Sequence, residues 1–237
     1  MLNNQDFARL RTKSLGGSDI GALLGLSKYR SAVDVWLEKT GQAPQSLDSL
    51  PLRFGQHAES FVAAEYAKAT GARLIHDERT ITHPEHSFLT GHVDRYIQGD
   101  SSDIFNDQGQ VVVPKILECK TAHPFNQSEW GEQGTDQVPL AYLVQCQWYL
   151  MLTQCKTADL AVLFANSDFR IYTIYRDSEL EQLLLDRALS FWHDHVLTGR
   201  PPKIQNDLDC RNLFPRANAG QSIEASTELM TKLQELK

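Results

Sequence analysis

The sequence lacks the features that mark several large classes of protein. It contains no apolar run of 18 residues, so we expect no membrane span. Residues 1–6 are largely polar and lack the basic and then apolar pattern of a signal peptide, so we expect a cytoplasmic protein. No P-loop, G-x-S-x-G or G-x-G-x-x-G motif occurs, which gives no support to a nucleotide-dependent enzyme or a serine hydrolase.

Cysteine is scarce and scattered. The four cysteines form no C-x-x-C pair, and no histidines stand at zinc-finger spacing around them. We therefore expect reduced and mostly buried thiols instead of a structural zinc or an iron–sulfur cluster. They are Cys119, Cys146, Cys155 and Cys210.

Positive charge is also in short supply for a protein that binds nucleic acid. The formal net charge is −7, and composition alone does not suggest DNA. The distribution is uneven, however, because the first forty residues hold six Lys or Arg against four Asp or Glu. A local basic patch can contact phosphates even when the whole chain is acidic.

The 237 residues, 41% of them hydrophobic, are enough for one sizeable core. The patterns predict helices, a three-strand meander, a helix, two strands and a further helix, which is a mixed α/β core with helices packed on a sheet. We expect a single domain over 1–237, with an N-terminal helical part at 1–52, a core at 53–198 and an extension at 199–237. Within it, Ser18 and Ser31 are predicted helix N-caps, and strands are predicted at 73–81, 88–97, 111–121, 158–165 and 169–175.

A glutamate and a lysine stand close together at the end of the third predicted strand. Glu118 and Lys120 alternate with apolar neighbours, so they face the same side. Taken alone, this triplet most often forms an ion pair on a half-exposed strand. Asp94 lies in the preceding predicted strand and falls beside Glu118 if the two strands pair.

Two facing carboxylates repel each other unless a positive charge lies between them. A divalent metal is the usual solution, and Asp, Glu and Lys together supply what phosphodiester hydrolysis requires. Lys120 can orient a water or stabilise the developing negative charge.

The Asp94 and Glu118-x-Lys120 set resembles the PD-(D/E)xK nuclease core, and other segments narrow the resemblance to the YqaJ-like viral recombinases, relatives of the phage lambda exonuclease. They are Arg11-Thr-Lys-Ser-Leu-Gly-Gly-Ser-Asp-Ile-Gly-Ala-Leu-Leu-Gly25, Arg53-Phe-Gly-Gln-His-Ala-Glu59 and Tyr142-Leu-Val-Gln-Cys-Gln-Trp-Tyr-Leu150. The matches follow the family's order over about residues 5–155. The family often has a proline before the metal-binding aspartate, where this chain has Val93.

The resemblance implies a role for each matching residue. Two ions of Mg²⁺, or of Mn²⁺, would be held by Asp94, Glu118, the Cys119 carbonyl and Glu59. Lys120 would be the catalytic lysine, and Gln145 would help to position the attacking water. The resemblance also implies three roles at the DNA end. Arg11 would bind the 5′ phosphate, and Ser18 would contact the backbone nearby. Phe7 would split the terminal base pairs.

Simpler explanations exist for several of these residues. Glu59 lies near a helix start, where the helix dipole favours an acid. Ser18 can be a plain N-cap, Arg11 an ordinary surface arginine and Phe7 a core residue. Gln145 is different, because it lies on an otherwise apolar helix face and a buried glutamine needs hydrogen-bond partners.

The resemblance implies an exonuclease that digests one strand of linear double-stranded DNA from the 5′ end. It also implies a ring-shaped homotrimer around DNA and a single-strand annealing protein as partner. Two alternatives remain open at this point: another nuclease of the same core, such as an endonuclease, and a DNA-end clamp without activity.

Overall fold

A computed structural model describes residues 12–43, 50–99 and 103–214 of the chain. The chain divides into two compact units, Met1–Lys203 and Ile204–Lys237. The extension predicted from residue 199 begins just before this division. Phe7, Arg11 and the polar helix predicted at 222–237 lie outside the described residues. No helix in the described ranges is long and apolar enough to cross a membrane.

The described helices and strands follow the predicted order. The helices are α1 (Gly17–Leu23), α2 (Ala32–Lys39), α3 (Leu50–Thr70), α4 (Leu140–Thr153), α5 (Ser178–Phe191) and α6 (Asp207–Leu213). The strands are β1 (Leu74–Ile75), β2 (Ile81–Thr82), β3 (Thr90–Gly91), β4 (Arg95–Ile97), β5 (Lys115–Ala122), β6 (Thr157–Phe164) and β7 (Asp168–Tyr175). A 3-10 helix covers Pro124–Glu129, and a turn of π-helix at Trp192–Val196 follows α5.

The main sheet has five strands in the order β1-β4-β5-β6-β7. β5 and β6 run parallel, and the other neighbouring pairs are antiparallel. The parallel pair needs a crossover, which α4 provides. The mixed α/β fold predicted from the sequence is confirmed.

Alternation along β5 divides its side chains between two layers of helices. Leu117 and Cys119 belong to a buried apolar cluster with Val62, Ala63 and Tyr66 of α3. Glu118 faces the opposite side, where it meets Gln145 of α4. The strand pattern thus points the acidic residue away from the apolar cluster and into the layer that holds α4.

Three local predictions are wrong. Ser18 does not cap α1, because the N-cap is Gly16, whose N–H donates to Asp19 Oδ2 at 3.0 Å. The strand predicted at 73–81 is divided into β1 and β2, and the strand at 88–97 into β3 and β4. The two halves pair in different sheets, since β2 and β3 form a separate hairpin. The N-cap predicted at Ser31 is confirmed, because its Oγ accepts from the Asp34 N–H.

Candidate active site

Asp94 and Glu118 come together where the β4–β5 ladder ends. Arg95 pairs with Leu117 in antiparallel register, so Asp94 precedes β4 directly opposite Glu118. Beyond the last backbone pair, a side chain replaces the backbone as the hydrogen-bond acceptor. The Oδ2 of Asp94 accepts from the Cys119 N–H at 2.8 Å. This bond fixes the aspartate beside the strand that carries the glutamate.

Glu118 is buried, with 2% of its surface exposed. Its Oε1 accepts from Lys120 Nζ and from Gln145 Nε2, the latter at 2.8 Å. Its Oε2 accepts no hydrogen bond from the described residues. A buried carboxylate oxygen without a donor is costly, so this atom is available to bind a cation.

The electrostatics of the pair agree with that reading. Loss of water and then the neighbouring Glu118 carboxylate raise the pKa of Asp94 well above its ordinary value. Burial also raises the pKa of Glu118, although Lys120 opposes the shift. Both carboxylates therefore resist ionisation in this site unless further positive charge reaches them.

Lys120 is the cation of the site. Burial would lower the pKa of its ammonium group, but Glu118 and Asp94 outweigh that effect and raise it. The two carboxylates therefore favour the protonated form of this lysine. Its Nζ also lies 5.4 Å from the ring centroid of Tyr142.

Gln145 has the partners that its buried position requires. Its Nε2 donates to Glu118 Oε1 and, at 3.1 Å, to the hydroxyl of Tyr149, one turn further along α4. Gln145 and Tyr149 are both buried. The amide is therefore fixed in orientation between the glutamate and a neutral hydroxyl.

Glu59 lies on α3 near the two carboxylates but is paired with a different residue. Its Oε1 lies 2.6 Å from Nη1 of Arg95, which also donates to the Asp94 carbonyl. In the described ranges no three His, Cys, Asp or Glu side chains converge as a ready-made metal site. The third carboxylate expected there is engaged by an arginine that the sequence analysis did not single out.

The pair of Asp94 and Glu118 fits a divalent cation. The two carboxylates are adjacent, and the free Oε2 of Glu118 offers a ligand atom. The N–H and carbonyl of one strand residue face the same edge, so the Cys119 carbonyl lies on the edge where Asp94 binds the N–H. Carboxylate and carbonyl oxygens are the ligands that Mg²⁺ and Mn²⁺ prefer.

An open cleft of about 910 Å³ leads to these residues. Its walls include Asp94, Glu118, Lys120 and Gln145 on one side and the exposed Ser18 of α1 on another. Glu59 also lines it. The structure thus brings together all of the predicted site residues that it describes, while Arg11 and Phe7 lie outside the described residues.

A buried ion-pair network supports the α1 wall of the cleft. Asp19 lies 2.8 Å from Lys39 Nζ and 3.0 Å from Arg30 Nη1, and Arg30 also reaches Glu38 at 2.6 Å. Burial opposes ionisation of Asp19, but Lys39 and Arg30 lower its pKa. Asp19 belongs to the Arg11–Gly25 segment, but the sequence did not predict its contacts, because they join it to Arg30 and Lys39 in other segments.

The sequence of this chain matches the YqaJ-like viral recombinase domain over residues 6–156. The chain belongs to this family. It is 34% identical over 197 residues to the YqaJ protein of Bacillus subtilis (strain 168), which covers 82% of this chain. The chain spans 57% of the length of that relative.

The fold of this chain is similar to that of several solved structures. An alkaline exonuclease from Laribacter hongkongensis, LHK-Exo, superposes with a TM-score of 0.62 and 13% identity over 83% of this chain and 94% of its own. A phage related exonuclease from Haemophilus somnus 129PT gives a TM-score of 0.57 and 15% identity over 81% of this chain and 99% of its own. At these identities the likeness establishes the fold, which is that of phage-type exonucleases.

Proposed function

We propose that this YqaJ-like protein is a metal-dependent exonuclease that digests one strand of linear double-stranded DNA in the 5′-to-3′ direction. The products would be mononucleotides and a 3′ single strand for recombination by annealing. One observation carries the proposal: Asp94, Glu118 and Lys120 converge with Gln145 at the base of an open cleft. The exonucleases named above, which share the fold, give it further support.

Asp94, Glu118 and the Cys119 carbonyl would hold Mg²⁺, or Mn²⁺, and Glu59 would join them if it left Arg95. The bound metal would polarise the scissile phosphate and lower the pKa of a water. Lys120, kept protonated by Glu118, can donate to an oxygen on which negative charge develops. Gln145 can orient a water beside Glu118, because Tyr149 and Glu118 fix its amide.

The polarity and the choice of a DNA end come from the family resemblance. Ser18 and Lys13 line the cleft, where they can contact the DNA backbone. Arg11 would bind the 5′ phosphate, and Phe7 would separate the terminal base pairs. A homotrimeric ring around DNA would keep an acidic chain on its substrate with few phosphate contacts. A single-strand annealing protein would receive the product.

The test uses a linear duplex labelled at one end, with a 5′ phosphate or a 5′ hydroxyl, incubated with magnesium or with EDTA. We expect progressive release of mononucleotides from the 5′ strand, faster with the phosphate and absent with EDTA. Lys120→Ala should lower the rate by at least about a hundredfold, since it removes the cation that stabilises developing charge.

Lys156→Ala is the matched control, because Lys156 is exposed at the start of the neighbouring strand β6. It should keep the rate of the unaltered protein. Cleavage of closed circular DNA would favour an endonuclease of the same core instead. Tight binding to DNA ends without cleavage would favour an inactive clamp.

A further inference from the structure

A second cavity of about 500 Å³ lies next to the cleft. The two cavities share six lining residues, which are Gly17, Ser18, Tyr29, Thr121, Tyr142 and Gln145. The second cavity begins where β5 leaves the site, since Thr121, Ala122 and His123 line it directly after Lys120. A DNA strand that lies beside Lys120 in the cleft would therefore be next to this cavity.

The cavity offers flat aromatic surfaces at its junction with the cleft. Tyr142 is held in place, with Lys120 Nζ at 5.4 Å from its ring centroid and the buried Trp130 ring at 5.5 Å. Tyr29, which lines both the cleft and this cavity, is 81% exposed. Nucleobases that are not stacked in a duplex bind to exposed aromatic faces of this kind.

The charges around the cavity are compatible with a nucleotide. Among the described residues that line it, Glu129 is the one carboxylate. Lys28 neutralises it, because the two side chains form an ion pair of 2.5 Å across the cavity rim. Asn126, Ser27 and His123 add hydrogen-bonding groups that can meet a base edge.

We propose that this cavity binds an unstacked nucleobase of the DNA whose phosphate lies at Asp94 and Glu118, with Tyr29 as the stacking ring. The proposal rests on the proposed function, since it requires a phosphate at that site. The base belongs either to the strand in the cleft or to the released mononucleotide, which share the same chemistry.

The test measures binding with Ca²⁺ in place of Mg²⁺, because a cation must remain to hold the phosphate at Asp94 and Glu118, and the readout is base preference instead of cleavage. The probes are a short fluorescent 5′-phosphorylated single strand and an abasic strand of equal length. The normal strand should bind at least about fivefold tighter than the abasic strand, as expected for one stacked base. Tyr29→Ala should abolish this preference, and Tyr29→Phe should retain it because the ring remains.

Tyr175→Ala is the matched control, since Tyr175 is 70% exposed at the end of β7 and lines neither cavity. It should keep the preference. A second comparison, of the affinities for dAMP and for deoxyribose 5-phosphate, distinguishes the two sources of the base. Tighter binding of dAMP shows that the free mononucleotide occupies the cavity. Equal binding of the two shows that the base in the cavity belongs to the strand.

Equal affinity for the normal and abasic strands together with equal affinity for dAMP and deoxyribose 5-phosphate, or a preference that survives Tyr29→Ala, would overturn the proposal. Either result would leave the exonuclease untouched. A preserved base preference in a protein that cleaves no DNA would instead reject the exonuclease and keep the nucleobase site.

Discussion

Single hydrogen bonds decide how the residues of the site are presented. Glu118 Oε1 receives two donors, whereas Oε2 receives none from the described residues. Gln145 links this carboxylate to the Tyr149 hydroxyl, which burial keeps neutral by raising its pKa. Tyr149 touches no reacting atom in the proposed reaction, so we regard it as a positioning residue.

Tyr149→Phe tests that role. The ring stays, but the Gln145 amide loses an acceptor and can rotate. We expect kcat to fall by about three- to tenfold, equivalent to one ordinary hydrogen bond, with KM within about twofold of the original value. Steady-state kinetics on the linear duplex measures both.

Tyr96→Phe serves as the control for Tyr149→Phe. The Tyr96 hydroxyl is buried, and it has no hydrogen-bond partner among the described residues. Its removal should leave kcat unchanged. An unaltered kcat in Tyr149→Phe as well would show that Gln145 needs no second partner.

At the scale of elements, the α1 wall and the α4 wall of the cleft meet through a glycine. A Cβ at Gly17 would lie 2.7 and 2.8 Å from two ring atoms of Tyr149. Gly91 of β3 approaches the same ring, since a Cβ there would lie 3.1 Å from it. The tyrosine ring is thus enclosed between α1 and β3, and the position of each element depends on small residues.

Gly17→Ala should force α1 and α4 apart. We expect a loss of about 1–3 kcal/mol in the free energy of unfolding, as for other overpacked contacts, together with lower nuclease activity. Chemical denaturation measures the first quantity and the duplex assay the second.

Gly55→Ala provides the contrast within α3. No heavy atom lies within 4 Å of a Cβ at Gly55, so the extra methyl meets open space. The change should stabilise the protein by about 0.5–1 kcal/mol, because alanine favours a helix over glycine. Equal effects of the two alanines would refute the close contact at Tyr149.

At the scale of the whole molecule, the excess of acidic residues adds to the electrostatic repulsion within the site. The formal net charge is −7, and the site itself opposes two adjacent carboxylates with one lysine. A bound divalent cation would relieve this repulsion, and binding to the folded state alone raises stability.

Asp94→Asn distinguishes the repulsion between the carboxylates from the stabilisation by a bound cation. In EDTA the variant should melt a few degrees above the unaltered protein, at about 2–4 °C for each kcal/mol, because burial and Glu118 oppose ionisation of the aspartate and asparagine does not ionise. Magnesium should raise the melting temperature of the unaltered protein and leave that of Asp94→Asn nearly constant. Asp186→Asn, on the exposed face of α5, should behave like the unaltered protein. A magnesium shift that persists in Asp94→Asn would exclude this residue as a ligand.

Local periodicity in the sequence is sufficient to predict part of the site. Alternation along a strand places Glu118 and Lys120 on one face, and helical spacing places Gln145 among apolar residues of α4. The fold class follows from the order of the predicted helices and strands, whereas the family follows from the resemblance of motifs that stand in the family's order within residues 6–156.

Tertiary structure alone decided the contacts that join distant segments. The strand predicted at 88–97 is interrupted between β3 and β4, and next to the start of β4 the Asp94 side chain binds the Cys119 N–H, a contact that local propensity does not contain. Arg95 binds Glu59 across 36 positions of sequence, and Tyr149 supports Gln145 while it packs against Gly17 and Gly91. Periodicity assigns a side chain to a face, whereas its partner depends on which segments fold against that face.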